Sequence, residues 1–278
     1  MKAIDRLGWA AGLSFVAYGV RVGVRVNDPR ELPALIECLP LGWRPGSSPI
    51  VERMFSVIFG SDRRRGVRRF HLLYENEAKI ARTHDRDSLL EAFEAAVRLH
   101  VAEAARNRIF VHAGVVGWRD RAIVIPGSSF SGKTQLVAAL IRAGATYLSD
   151  EYAVFDRAGL VHPYPVALSV REPLGGRKRT PAEALGGRIA GAALPVGLVV
   201  ACRFRKGGLW RPRLLSQGQA ILAMLEHTVA ARSKPEAAMA TLKKVAEAAP
   251  TLKSARGAAR VAAERILEYI DARIANAA

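Results

Sequence analysis

The chain has 278 residues, enough for two domains or one large one at roughly 150 residues per domain. Half of it is apolar (50%), 24% is charged, and the mean hydropathy is +0.08, a balance that supports a sizeable core and excludes wholesale disorder. Lys and Arg number 42 against 25 Asp and Glu, leaving +17, a field that favours phosphates, nucleic acid or acidic surfaces without choosing among them.

Leu7 to Val20 falls short of the roughly 18 apolar residues of a membrane span and precedes no small-residue cleavage site, so a cytoplasmic protein without a span is expected. An extended stretch is predicted from Leu13 to Val26, where Val20, Val22, Val24 and Val26 alternate with Arg21, Gly23 and Arg25. Asn27-Asp28-Pro29 then starts a short helix with Leu32, Leu35, Ile36 and Leu39 on one face. Cys38 and the distant Cys202 have no CxxC or Cys/His spacing, which argues against a disulfide framework and a structural zinc site. Residues 53–59 and 70–82 read as strands of a small antiparallel sheet, with the basic loop Arg63-Arg64-Arg65 between them and a break at Glu75-Asn76. From Asp87, a candidate N-cap, Leu89, Leu90, Phe93, Ala96, Val97 and Val101 recur at helical spacing until about Arg106. Residues 1–106 thus form a small α+β unit, open to two roles: substrate recognition or packing against a second copy of the chain.

A strand at 109–116, a turn through Gly117–Arg121 and a second apolar strand, Ala122–Ile125, open the next unit. Pro126 ends that strand. A helix is predicted from Lys133 to Ala143 with Gly144 as its stop, followed by a strand at Thr146–Leu148 that runs into Ser149-Asp150-Glu151. Further strands are expected at 152–155, 166–170 and 196–204, with a mobile loop at 172–188. From Gln217 onward the Ala-rich sequence reads as three helical pieces, broken around Pro235 and by Pro250. The organisation expected is an α/β core at 107–215 with C-terminal helices, 216–278, packed on it.

Residues 127–134, Gly127-Ser128-Ser129-Phe130-Ser131-Gly132-Lys133-Thr134, fit G-x-x-x-x-G-K-[ST] without mismatch. Roughly one chain in a hundred of this composition would match by chance, and the strand before and helix after supply the required context. The chemistry follows from the need to meet a triphosphate with donors and no intruding side chains. Gly127 and Gly132 allow the backbone to approach closely, and the helix start at Lys133-Thr134-Gln135 adds N–H groups and its dipole. Lys133 is the cation for the β- and γ-phosphates of ATP, and the Thr134 hydroxyl a ligand for Mg²⁺. Asp150 and Glu151 end the strand after this helix, where a carboxylate can hold the metal, orient an attacking hydroxyl or take its proton. His112, within Phe110-Val111-His112-Ala113, reads by itself as a hydrogen-bonded core residue more readily than as a catalyst.

The set Val111-His112-Ala113, then GSSFSGKT, then Leu148-Ser149-Asp150-Glu151 resembles the kinase domain of HPr kinase/phosphorylase and its smaller relatives, a family that shares its P-loop core with phosphoenolpyruvate carboxykinase. The resemblance runs from about Ile109 to Arg171 and hardly touches residues 1–105. It implies an α/β P-loop kinase core and an ATP- and Mg²⁺-dependent transfer to a hydroxyl, typically a serine, of a protein or peptide. By position it implies Asp150 as catalytic aspartate, His112 as the histidine assisting it, and Glu151 where the family has a second metal-binding aspartate. The strand ending in Arg171 resembles the segment after the acidic pair, so Arg171 would supply charge to the phosphoryl group in flight. The E-x-R-G-L-G signature of the bifunctional enzymes is absent, so neither phosphorolysis nor HPr as acceptor is implied.

Two other classes compete. A carboxykinase-like lyase needs a transition-metal set of His, Lys and Asp that the sequence does not display. A non-catalytic nucleotide sensor or nucleic-acid binder is encouraged by the charge. The excess is nevertheless spread over both halves, and no RRM, KH, helix-turn-helix or stacking motif is readable, so nucleic acid is disfavoured. Arg177-Lys178-Arg179 and Arg203, Arg205 and Lys206 read either as a solvated face or as a grip for an acidic peptide or phosphates.

Overall fold

The computed structural model describes residues 3–60, 70–128, 131–171 and 177–276. The architecture is mixed α/β, with three sheets and six α-helices among the described residues, and the chain clusters into two compact units, Met1–Arg106 and Asn107–Ala278.

In the first unit β1 (Ala11–Ala17) and β2 (Val20–Val26) form a hairpin in register Ala17↔Val20. The single extended stretch expected here is therefore two strands. Tyr18 and Gly19 make the turn at φ 49° and 80°, the left-handed pair whose twist matches that of the flanking strands. A short 3-10 turn capped by Asp28 leads into α1 (Leu32–Glu37). After β3 (Arg44–Pro45), β4 (Arg53–Ile58) runs parallel to β2, and β5 (His71–Glu75) and β6 (Ala78–Thr83) complete the order β3-β1-β2-β4-β5-β6. The sheet is thus mixed rather than antiparallel, because the connection through α1 brings β4 back in the same direction as β2. The Arg63–Arg65 loop lies outside the described residues. In α2 (Arg86–Ala104) the N-cap is Asp85, whose carboxylate accepts the Ser88 N–H at 2.7 Å, while Asp87 sits in the first turn. Leu89, Phe93, Val97 and Val101, one turn apart, bury against Val20, Val22, Phe55 and Leu73, with Phe55 and Phe93 edge to face at 6.0 Å. A fully buried Phe contributes about 1.5–3 kcal/mol.

The second unit is built on β7 (Ile109–Trp118) and β8 (Arg121–Pro126), which pair antiparallel. Arg119 and Asp120, both at positive φ, form the turn. Then come α3 (Lys133–Arg142), β9 (Thr146–Ser149), β10 (Tyr152–Phe155), β11 (Val161–His162), β12 (Leu168–Arg171), β13 (Arg177–Thr180) and β14 (Val196–Phe204). After β15 (Arg213–Leu214) the chain ends with α4 (Gln217–Leu225), α5 (Pro235–Ala248), β16 (Thr251–Arg256) and α6 (Ala259–Ala275). The eight-stranded sheet has the order β11-β10-β7-β8-β14-β16-β15, with β9 also on β7.

Two expectations are corrected here. Residues 172–188 were expected to be a loop; 172–176 lie outside the described residues, while β13 pairs with β12 over 177–180 and a 3-10 turn follows at Ala182–Leu185. The C-terminal stretch is not wholly helical, since β16 pairs parallel to β14 from Val199↔Thr251 to Phe204↔Arg256.

The apolar run of β8 is buried on both faces, as strands under two helical layers are. Ile123 and Ile125 meet α3 and α6 through Leu136, Leu140, Ile266 and Ile270. Val124 faces the opposite layer, where Met224 of α4 and Leu242 and Val245 of α5 pack. No described helix is long and apolar enough to cross a membrane.

Candidate active site

β7 lies between β8 and the β9–β10 edge. It runs antiparallel to both, so β8 and β9 point the same way, and the two residues after β9 reach the level at which β8 ends. Pro126 pairs with Ala113, and Gly127 N–H donates to His112 O at 3.1 Å. On the other side Ala113 N–H donates to Glu151 O at 3.2 Å. Two residues of β7 therefore hold the start of the glycine loop and the acidic pair a strand's width apart on either side.

Of the loop, Ser129 and Phe130 lie outside the described residues. Gly127 is buried, and a Cβ there would stand 2.8 Å from Ser131 Oγ. Lys133 Nζ donates to Gly127 O at 2.8 Å and Ser128 O at 3.4 Å, which keeps the ammonium at the mouth of the loop. Burial pulls its pKa down, opposed by Asp150 and Glu151. The first turn of α3, Lys133-Thr134-Gln135, carries the N–H groups that a helix leaves without intrahelical acceptors.

β9 and β10 behave as one strand interrupted at Asp150-Glu151. Ser149 is fully buried, and its Oγ accepts the N–H of Glu151 at 3.2 Å and of Tyr152 at 3.0 Å, which pins the interruption. The Thr134 hydroxyl lies close to the Asp150 carboxylate and favours its ionised form. Burial pushes the Asp150 carboxyl up to about 6 despite Thr134 and Lys133, with Glu151 adding to the rise. Its Oδ1 is buried without a hydrogen-bond partner, as is Ser131 Oγ. Gly114 lets α3 come close to β7 beside this carboxyl: a Cβ there would collide with Val137 of α3.

His112 leaves β7 on the side of α3, stacks obliquely on Tyr152 at 4.7 Å, and lies close to the backbone of Glu151. Burial, Lys133 and His227 all depress its pKa. Lys133, Thr134, Asp150, Glu151 and His112 are thus brought together. Of Arg171 only the backbone is described, at the end of β12.

Three residues of this site were not singled out from the sequence. One is Ser149, whose role depends on the interruption after it. The second is Arg256, 2% exposed, at the end of the unanticipated β16. Its Nη2 donates to Gly132 O at 2.6 Å and its Nη1 to Gly257 O at 3.0 Å. The Phe204 N–H, from β14, donates to Ser131 O at 3.2 Å. The third is His227, whose carbonyl accepts the His112 N–H at 2.8 Å. Ser149 acts on its own neighbours two and three positions on, whereas Arg256 and His227 act through partners far along the chain that no local pattern marks.

No family model matches the chain and no curated protein matches it. Among solved structures it is similar to the Hpr(Ser) kinase/phosphatase from Coxiella burnetii, at 14% identity over 59% of this chain and 97% of that one, with a TM-score of 0.34. Overlap this low assigns neither activity nor site.

Proposed function

We propose that the chain is an ATP-dependent kinase that transfers the γ-phosphate to a hydroxyl, a serine side chain of a protein or peptide. The observation that carries this reading is the meeting of Lys133, Thr134 and Asp150. A cation and a hydroxyl at a helix N-terminus face a buried carboxyl raised to about 6. The N–H groups of α3 and Lys133 would bind the phosphates, with Gly127, Ser128 and Gly132 letting the backbone come close.

The donor set suits Mg²⁺, a hard cation that takes oxygen ligands and shares its shell with phosphates. Asp150 Oδ1 is a buried oxygen without a partner, and the Thr134 hydroxyl lies against the same carboxylate. Thr134, Asp150 and Glu151 are the residues that would hold the ion, which when bound supplies charge neutralisation between the β- and γ-phosphates.

Asp150, raised toward neutrality and still largely ionised near pH 7, has the basicity a general base needs. It takes the proton of the acceptor hydroxyl as that oxygen bonds to the γ-phosphorus, and the bond from the γ-phosphorus to the β–γ bridging oxygen breaks to release ADP. The Ala113 N–H holds the backbone of Glu151 beside His112, which would assist Asp150, and Arg171 would add charge beside the transferring group.

The test is incubation with γ-labelled ATP, Mg²⁺ and a serine-containing peptide library. Label should pass to hydroxyls with the wild type and be lost in Lys133→Ala and Asp150→Asn. Transfer undiminished in Lys133→Ala overturns the assignment. Binding of ATP without any transfer supports the nucleotide-sensing alternative instead.

A further inference from the structure

Between α4 and α5 the chain returns to the sheet. Thr228 forms an antiparallel bridge with Val111. His227 O accepts from His112 N at 2.8 Å, and Val229 N–H donates to Phe110 O at 2.9 Å. This segment occupies the edge of β7 that β8 relinquishes where it turns into the loop at Gly127. In that register His227 stands opposite His112, and opposed residues of an antiparallel pair send their side chains to the same face about 5 Å apart. That face is the one α3 covers, where Val116 packs and where a Cβ on Gly114 would meet Val137.

Two imidazoles therefore stand side by side next to the loop lysine. Lys133 acts electrostatically on both, and Arg203, at the end of β14, acts on His227 as well, with Glu226 opposing. His227 is only half-buried, so its ring is accessible to a ligand. Asp150 and Glu151 act on Lys133 and Glu226 on His227, and burial favours the neutral form of both rings, so the rings stand here as hydrogen-bonding groups beside the cations Lys133 and Arg203, the mixture of donors and charge that a phosphate takes.

We propose that His227 is a phosphate-binding residue of this pocket, contacting the terminal phosphoryl group of a bound nucleoside triphosphate beside Lys133. The inference rests on the nucleotide reading of the loop and adds a ligand from a segment 94 positions beyond Lys133, the difference between 227 and 133.

The experiment is calorimetric titration of the full chain with a non-hydrolysable ATP analogue and Mg²⁺, for the wild type, His227→Ala, His227→Gln and Lys133→Ala. It is paired with the ¹⁵N-histidine spectrum, in which one of six imidazoles disappears in His227→Gln and so is assigned. The expected result is affinity weakened about tenfold to a hundredfold in His227→Ala, partial recovery in His227→Gln, which retains a donor, and movement of the assigned imidazole signal in the wild type on titration. Thermal midpoints of the variants establish that they are folded; where alanine fails to fold, glutamine and the imidazole signal decide. Should the wild type bind the analogue and Lys133→Ala not, while the His227 variants bind as the wild type does and the signal stays still, the His227 assignment alone is overturned. Should the wild type itself not bind, the nucleotide reading falls and this assignment with it.

Discussion

Arg256 spans the end of β16 and the entrance of α3: one guanidinium nitrogen is 2.6 Å from Gly132 O and another 3.0 Å from Gly257 O. Gly132 lies at φ +90°, and a Cβ on it would stand 2.6 Å from Arg256 Nη2, so the glycine and the arginine require each other. A fork that satisfies two carbonyls at once cannot be replaced by a point charge. Arg256→Lys and Arg256→Met should each lose about 1–3 kcal/mol of stability through an orphaned carbonyl. Because the carbonyl belongs to the residue before Lys133, both should also weaken nucleotide binding about tenfold or more. Urea midpoints and titration with ATP check the two effects separately, and a methionine variant that binds ATP like the wild type removes Arg256 from the site.

The buried carboxyl of Asp150 makes stability depend on pH with a definite sign. Its folded pKa, about 6, exceeds the ordinary value of 3.8, so the folded state holds a proton that the unfolded state has released. Stability from this group is full below about pH 4 and falls as pH rises through about 6, by roughly 2–3 kcal/mol in all. Asp150→Asn should remove that slope while abolishing transfer. Urea midpoints at about pH 4 and pH 8 should therefore diverge in the wild type more than in the variant, and equal slopes in the two proteins contradict the buried-acid assignment. In the free enzyme the acid limb of kcat/KM should turn near the same pH.

The loop was legible in the sequence because its chemistry is contiguous: Gly127, Gly132, Lys133 and Thr134 sit within eight positions after an apolar strand. Asp150 was legible through its place at a strand end. What could not be read was whatever depends on non-local pairing. Thr251–Arg256 has neither alternation nor a β-branched run, and it becomes a strand only because β14 offers an edge on one side and β15 closes the other. Arg256 and His227 were hidden with their segments. The hairpin at Tyr18-Gly19 was missed for a local reason, since a tyrosine at positive φ gives no turn signal. The adjacency of the acidic pair to the loop also needed β7 between β8 and β9, a strand order that the sequence order does not state.

In the first unit, His100 lies edge to face with Phe55 at 6.3 Å and its Nε2 is buried without a partner. Burial, with Arg53 adding to it, brings its pKa down to about 4. The unfolded chain takes up a proton first, so stability is lost as pH falls from the ordinary histidine value of 6.5 toward 4. His100→Leu keeps the ring's apolar contact and removes the titration. Denaturation at about pH 7 and pH 5 should show a smaller acid loss in this variant than in the wild type, and an identical loss would assign the acid sensitivity to other groups.

Ser149 tests whether the interruption after β9 serves the chemistry or only the fold. Its hydroxyl accepts two backbone N–H groups, from Glu151 and Tyr152, in a position with no solvent to replace it. Ser149→Ala orphans both donors and should cost about 1–3 kcal/mol. Relaxation of the turn would also let Asp150 leave Thr134, whereas Lys133 is positioned by the loop and by α3 and would stay. The expected kinetic result is therefore a fall in kcat with the KM for ATP little changed. Ser149→Thr, which keeps the oxygen, should recover kcat if the added methyl is accommodated. A variant that loses stability while kcat and KM both stay at wild-type values would show that the base is positioned without Ser149. A rise in KM for ATP alone would place the serine's influence on the loop instead of on Asp150.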